Sequence, residues 1–318
     1  MSWLGPALAA ALATTAWPLG TPGAPAVPAT ASDEAGDIDV IQAQNERFDR
    51  MTVPVKIDDS GPYAFMIDTG AEATVVSLDL ADRLGLAERS PATLVAMASR
   101  KPIETAFIPH LELGSRSFNI QTAPLVDRSN IGAADGVLGL DSLQNQRVLI
   151  DFAEQRIAVA DARDLGGNRG YEIVVTARRR LGQLIITSAR FDNVRVAVIV
   201  DTGAEASIGN DALMRRLRGG NAGPAQITDI NGVQASGTVR LASEVRIGDA
   251  KLSNIPVAFV ESPLFKQLGL EGQPAMVLGM NELRLFRRVA IDFKQGKVLF
   301  DLPPQATLPQ DVFRVMPF

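Results

Sequence analysis

Asp68-Thr69-Gly70-Ala71-Glu72-Ala73 is repeated, residue for residue, as Asp201-Thr202-Gly203-Ala204-Glu205-Ala206. Six consecutive identities in a chain of 318 residues are a duplication, not a coincidence. Two more landmarks follow each copy in the same order. Val137-Leu138-Gly139 answers to Val277-Leu278-Gly279, and Ile150-Asp151-Phe152 to Ile291-Asp292-Phe293. The second copy is longer between its first two landmarks, and its extra length falls near Glu261 to Pro274, a stretch read as a Pro- and Gly-bearing loop. A spacing of 133 residues is far too long for a solenoid. It implies two related lobes about a pseudo-two-fold axis. The lobes are expected at residues 38–162 and 171–302, with a glycine-rich connector at 163–170 and a Pro-containing tail at 303–318.

Each repeat reads as β-structure. Met51 to Ile57 alternates in hydropathy, Ser60-Gly61-Pro62 turns, and Ala64-Phe65-Met66-Ile67 runs straight into the first Asp-Thr-Gly. Val194 to Val200 leads into the second in the same way. Such β-branched and apolar runs, bounded by turn residues, are buried strands. Short helices are expected at Leu78–Leu84, Asp141–Gln146, Asp211–Leu217 and Asn281–Phe286, with Asn210 or Asp211 capping the third. The predicted fold class is all-β, with two lobes and a few short helices.

Composition removes several kinds of chemistry. With no cysteine, disulfides, thiolate zinc sites and cysteine nucleophiles are excluded. The single histidine, His110, cannot form a multi-histidine metal centre, and no G-x-S-x-G elbow accompanies it, so it reads as a structural or surface residue. No metal or other cofactor is expected. A net charge of −5 argues against a nucleic-acid partner. The one basic run, Arg178-Arg179-Arg180, precedes Leu181-Gly182 and reads as the arm of a solvated hairpin. The first 31 residues lack any charged side chain, are apolar and alanine-rich, and end in Ala29-Thr30-Ala31. That pattern predicts an export signal, and its prolines argue against a stable membrane helix. No later segment is long and apolar enough to span a bilayer.

The repeated motif carries the chemistry. A carboxylate at the end of a buried strand is costly to bury alone. Two of them, Asp68 and Asp201, meeting on a two-fold axis would share a proton, because both cannot ionise comfortably at close range. One can then act as general base on a water, while the other donates a proton to the carbonyl oxygen of an amide. Gly70 and Gly203 allow tight turns and close approach of another chain. Thr69 and Thr202 offer hydroxyls to the backbone across the lobe junction. Glu72 and Glu205 read as local polar contacts, and Asp151 and Asp292 as residues that end or turn strands.

At these residues the chain resembles the retropepsin-like aspartic proteases, in particular bacterial members carrying D-T-G-A-E. The likeness extends over both lobes. It implies β-barrel lobes, catalytic roles for Asp68 and Asp201, and cross-bracing of the two turns by Thr69 and Thr202. It also implies that Leu138-Gly139 and Leu278-Gly279 support the active-site turns. Ala71 and Ala204 follow the two glycines, as in the retroviral enzymes, where pepsins carry a hydroxyl residue. Without that donor the charged carboxylate is less stabilised, so an optimum less acidic than pepsin's is expected. Asn231-Gly232, a strong hairpin-turn signal, marks a flap in the second repeat. The matching stretch Thr93 to Phe107 lacks glycine, so the second lobe is expected to supply the main moving flap. The resulting expectation is an exported, monomeric endopeptidase, periplasmic or extracellular, with a protein or peptide substrate, the two halves being joined covalently. The alternatives are a silent peptide-binding or scaffold protein of the same fold, or a hydrolase of another class.

Overall fold

The computed structural model describes residues 51–303 apart from 133, 220 and 221, together with the backbone of strands Ala7–Ala9, Ala13–Thr14, Asp39–Gln42 and Gln44–Asn45. The remainder of the expected export leader, and the tail from residue 304, lie outside the described residues.

The two repeats build the same unit. In the first, Met51–Ile57 and Ser60–Ile67 form an antiparallel pair that ends at Asp68. Val75–Ser77 leaves the turn, and Gly136–Leu138 inserts between the strands on either side of it. That short strand runs parallel to Ser60–Ile67, with Leu138 opposite Ile67, and antiparallel to Val75–Ser77. In the second, Ala275–Leu278 runs parallel to Val194–Val200, with Leu278 opposite Val200, and antiparallel to Ile208–Gly209. Close packing explains Gly136: a Cβ there would lie 2.3 Å from the Phe65 ring. The chain is mostly strand, and the lobes are β-barrels.

Each lobe extends a long hairpin. Arg89–Val95 pairs with Arg100–Leu113, turning at residues 96–99. Gly223–Asp229 pairs with Gln234–Ile247, turning at residues 230–233. Both hairpins also gain a strand from the N-terminal segment. Ala7–Ala9 runs parallel to Arg89–Val95, whereas Ala13–Thr14 runs antiparallel to Gly223–Asp229.

A third sheet joins the lobes. Its order is Ile173–Thr176, Lys297–Asp301, Arg288–Asp292, Arg147–Asp151, Arg156–Ala160, Asp39–Gln42. The central pair, Arg147–Asp151 against Arg288–Asp292, brings one strand from each lobe together. The largest apolar cluster accordingly runs through both lobes, from Phe65 and Leu111 to Phe191, Phe286 and Phe300.

Several of the helices start at a capping side chain. Leu78–Arg83 is capped by Ser77, and Asp211–Met214 by Asn210, whose side-chain oxygen accepts from Leu213 N at 2.9 Å. The third helix is shorter than the expected Asp211–Leu217, and those after the landmark glycines are only Leu140–Leu143 and Met280–Leu283. The expected loop near Glu261 to Pro274 needs correcting. It contains a helix, Pro263–Gln267, which buries Leu264 and Phe265. Ser262 caps it and Pro263 starts it, and both residues also suit a loop, which is why sequence alone misread them. Arg178–Arg180 is the exposed arm of a hairpin, and His110 is exposed on Arg100–Leu113. Among the described residues no helix is long and apolar enough to cross a membrane.

Candidate active site

Asp68 and Asp201 sit on matching turns, each at the end of a buried strand. Asp68 N donates to Leu138 O at 3.0 Å, and Asp201 N to Leu278 O at 3.1 Å, so each strand is anchored by its landmark leucine. One carboxylate oxygen of Asp68 accepts from Gly70 N (2.8 Å) and Ala71 N (3.0 Å). Asp201 accepts from Gly203 N (2.8 Å) and Ala204 N (3.2 Å) in the same way. Both side chains are fully buried.

The two carboxyls come together. A Cβ on Gly70 would lie 2.5 Å from the Asp201 carboxyl, and one on Gly203 would lie 2.2 Å from Asp68 Oδ2. Only glycine fits at either place. Burial first, then the negative charge and hydrogen bonding of Asp68, holds the Asp201 carboxyl well above the usual carboxylate range. The titration therefore belongs to both residues.

Thr69 and Thr202 lock the turns across the junction. Thr69 Oγ1 donates to Val200 O (2.9 Å) and accepts from Thr202 N (3.2 Å). Thr202 Oγ1 donates to Ile67 O (2.7 Å) and accepts from Thr69 N (3.1 Å). All four bonds are buried and none is local. Thr202→Val would leave Ile67 O and Thr69 N without their partner at the dyad's base. It should cost about 1–3 kcal/mol in urea unfolding, while Thr202→Ser should be near parental.

A second layer, unread in the sequence, props each turn from behind. Thr74 and Ser207 occupy the same place in the two repeats, and that shared hydroxyl was the available signal. Thr74 Oγ1 accepts from Gly139 N at 3.2 Å and donates to Asp141 at 2.6 Å. Ser207 Oγ accepts from Gly279 N at 3.2 Å and donates to Glu282. Gly139 and Gly279 are required here, because a Cβ would lie 2.3 Å and 2.7 Å from the backbone of Ala73 and Ala206. Leu140 N and Met280 N each donate at 2.8 Å to Ala71 O and Ala204 O, tying the helices to the turns. Gln183, fully buried in the second lobe, donates from Nε2 to Gly70 O at 2.5 Å. Nothing in its local sequence distinguishes it.

Burial raises the Asp141 carboxyl and pushes Glu282 up to about 7. The folded chain thus binds the Glu282 proton more tightly than the unfolded chain does. Its contribution is fully present below the ordinary glutamate range and is lost as pH rises to about 7. The span is at most about 3 kcal/mol. Glu282→Gln should therefore be more stable than the parent at pH 8 and similar at pH 4, by thermal melting. Asp141 and Asp201 act in the same direction, so part of the decline should remain.

Asn231 and Gly232 lie in the turn of the second hairpin, where Gly232 has φ +75°. The first repeat makes its hairpin without glycine. Gly237 serves packing: a Cβ there would lie 2.0 Å from Phe259 O. Among the described residues no cluster of His, Asp and Glu is placed to hold a metal ion.

A family model described as aspartyl protease matches the chain twice, over residues 53–142 and 187–281. The chain belongs to the aspartyl protease family. Each match contains one dyad turn and its landmark glycine, so this aspartyl protease carries two retropepsin-like units in one polypeptide. A search of curated proteins finds no match.

Proposed function

We propose that this aspartyl protease is an active, exported endopeptidase, periplasmic or extracellular, working as a monomer and hydrolysing an extended segment of a protein substrate at the Asp68–Asp201 dyad. The observation that carries the reading is the closed constellation itself. Two buried carboxyls abut, each presses on the other turn's glycine, and both turns are braced by reciprocal threonines. A scaffold protein would gain nothing from burying two mutually repelling acids.

In this mechanism the ionised carboxylate takes a proton from water as the water oxygen attacks the scissile carbonyl carbon. The protonated partner donates to the carbonyl oxygen. The tetrahedral gem-diol then collapses: the C–N bond breaks, the nitrogen takes the proton that the first carboxyl received from water, a hydroxyl of the intermediate returns a proton to the second, and a carboxylic acid and an amine leave with the dyad restored. No cofactor is needed. The way one N-terminal segment adds a strand to both hairpins supports an extended mode of binding. The charge-free, alanine-rich leader supports export.

The test is incubation of the full chain with a diverse peptide mixture between pH 3 and pH 8, with products read by mass spectrometry. Cleavage that needs both aspartates is expected. Binding of peptides without cleavage, by folded protein, would favour the silent peptide-binding protein instead.

A further inference from the structure

A neutral amide from the second lobe reaches the turn that carries Asp68. Gln183 opens strand Gln183–Phe191 and is fully buried. Its Nε2 donates to Gly70 O at 2.5 Å, while its Oε1 has no partner among the described residues. The hairpin turn before it packs on the first lobe: a Cβ on Gly182 would lie 2.9 Å from Gln144 Nε2 and 3.1 Å from Leu140 Cδ1. Burying an amide with its oxygen unmatched is destabilising, and an apolar side chain would fill the place without that cost. Packing therefore does not account for a glutamine here. Its bond to Gly70 O does.

That bond ends on the peptide that serves Asp68. Gly70 O and Ala71 N belong to one peptide group, and Ala71 N donates to Asp68 Oδ1 at 3.0 Å. Donation to the carbonyl polarises the peptide and makes its N–H a stronger donor. A stronger donor favours the charged form of the carboxyl it serves. The second turn differs. Ala204 N stands 3.2 Å from Asp201 Oδ1, and among the described residues no side chain donates to Gly203 O. We propose that Gln183 is a positioning residue that, through the Gly70–Ala71 peptide, selects Asp68 as the ionised, water-activating member of the dyad. Asp201 is then the member that keeps the proton and gives it to the carbonyl oxygen. This deepens the endopeptidase reading and rests on it for its purpose.

The other titratable groups around Asp68 stay the same whether or not Gln183 is present. They are Asp201 on the facing turn, Glu72 on its own turn, and Tyr63 on the strand leading to it. Asp141 lies behind the first turn through Thr74, and Glu282 behind the second through Ser207. The inserted strand Gly136–Leu138 carries none. Arg180, opposite Gln183 in its hairpin, is exposed and donates to Gly269 O. Gln183 has no charge, so its effect on Asp68 runs through the hydrogen bond alone.

Two substitutions test it, read by carbon-13 NMR of the aspartate carboxyls and by the pH dependence of peptide cleavage. In the parent, the dyad's first proton loss should appear mainly at the Asp68 carboxyl carbon. Gln183→Met keeps the length and removes the donor. That first loss should then move up by about half a pH unit and spread to Asp201, and the acid limb of kcat/KM should move with it. Gln183→Glu keeps the shape, and its carboxyl, protonated in acid, still donates, so both readouts should stay parental in acid. Once that carboxyl ionises the donor is gone, and cleavage should fall at a lower pH than in the parent. First ionisation at Asp201 in the parent overturns the proposal. So does an unmoved titration in Gln183→Met, even with a lower kcat, because the role is then structural. Should Gln183→Met not fold, an alkaline limb in Gln183→Glu that matches the parent's overturns it. A shifted titration without cleavage by any form leaves the Asp68 assignment standing and removes the endopeptidase reading. Cleavage with the same titration in all three does the reverse.

Discussion

Asp68→Asn and Asp201→Asn should each lower kcat for a cleavable peptide by at least about 10³-fold, because the two carboxyls act as one acid–base unit and neither half works alone. Asparagine keeps the shape. Its side-chain oxygen can still accept from Gly203 N and Ala204 N, as Asp201 does, while the amide can donate to the remaining carboxylate. The fold should survive, and the pH dependence of stability identifies why activity is lost. Asp201 is held above the usual carboxylate range by burial and by Asp68. Its contribution is therefore fully present in acid and is lost as pH rises above the ordinary aspartate range. Asp201→Asn removes that decline, and Asp68→Asn lessens it by the part owed to its charge and hydrogen bonding, burial keeping the rest. Both variants should melt higher than the parent at pH 8 and close to it at pH 4. Retention of more than a tenth of the parental kcat by either variant would place the chemistry elsewhere. A large fall in melting temperature at every pH would mean that the aspartates serve structure.

What the sequence disclosed was whatever the repeat duplicated. Asp68 and Asp201, the glycines beside them and the landmark leucines could be paired before any coordinates, because each occurs twice in the same strand context. Both hairpins were legible too, one from Asn231-Gly232 and the other only as its counterpart. Contacts that cross the two-fold axis were not legible. Asp229 looks like an ordinary turn residue, since half its bonds do cap its own turn. Its other half reaches a hairpin 130 residues away, and no local pattern encodes that. Gln183 is hidden for the same reason. Glu282 and Asp141 differ between the repeats, so the duplication offered no guide to their matched roles behind Ser207 and Thr74.

The same blindness covers the most buried ion pair among the described residues, and it gives the second large effect. In the sequence Asp292 looks like a residue that ends or turns a strand, and nothing marks Arg147. In the sheet that joins the lobes they are direct cross-strand partners. Both are fully buried, with Arg147 Nη2 2.8 Å and Nε 3.2 Å from Asp292 Oδ2. The guanidinium also donates to Gly167 O and, at 2.9 Å, to Asn168 Oδ1, so the connector between lobes closes over it. Asp292 Oδ1 accepts from Gln295 N at 2.7 Å. The pseudo-symmetric pair, Asp151 opposite Arg288, is less buried, and Arg288 turns to Asp301 instead. Arg147→Ala leaves Asp292 buried without its cation and opens the seam between the lobes, at a cost of about 3–5 kcal/mol. Asp292→Ala strands the guanidinium and should cost as much. The double variant Arg147→Met, Asp292→Leu removes both charges and refills the space, so it should recover most of that loss. Urea unfolding of the four proteins measures it. Single variants that cost under about 1 kcal/mol, or a double variant no better than the singles, would show that the pair holds nothing together. Because the dyad is assembled from both lobes, the single variants should also lose activity in proportion to the fraction that unfolds, while the double variant should keep the parental pH profile.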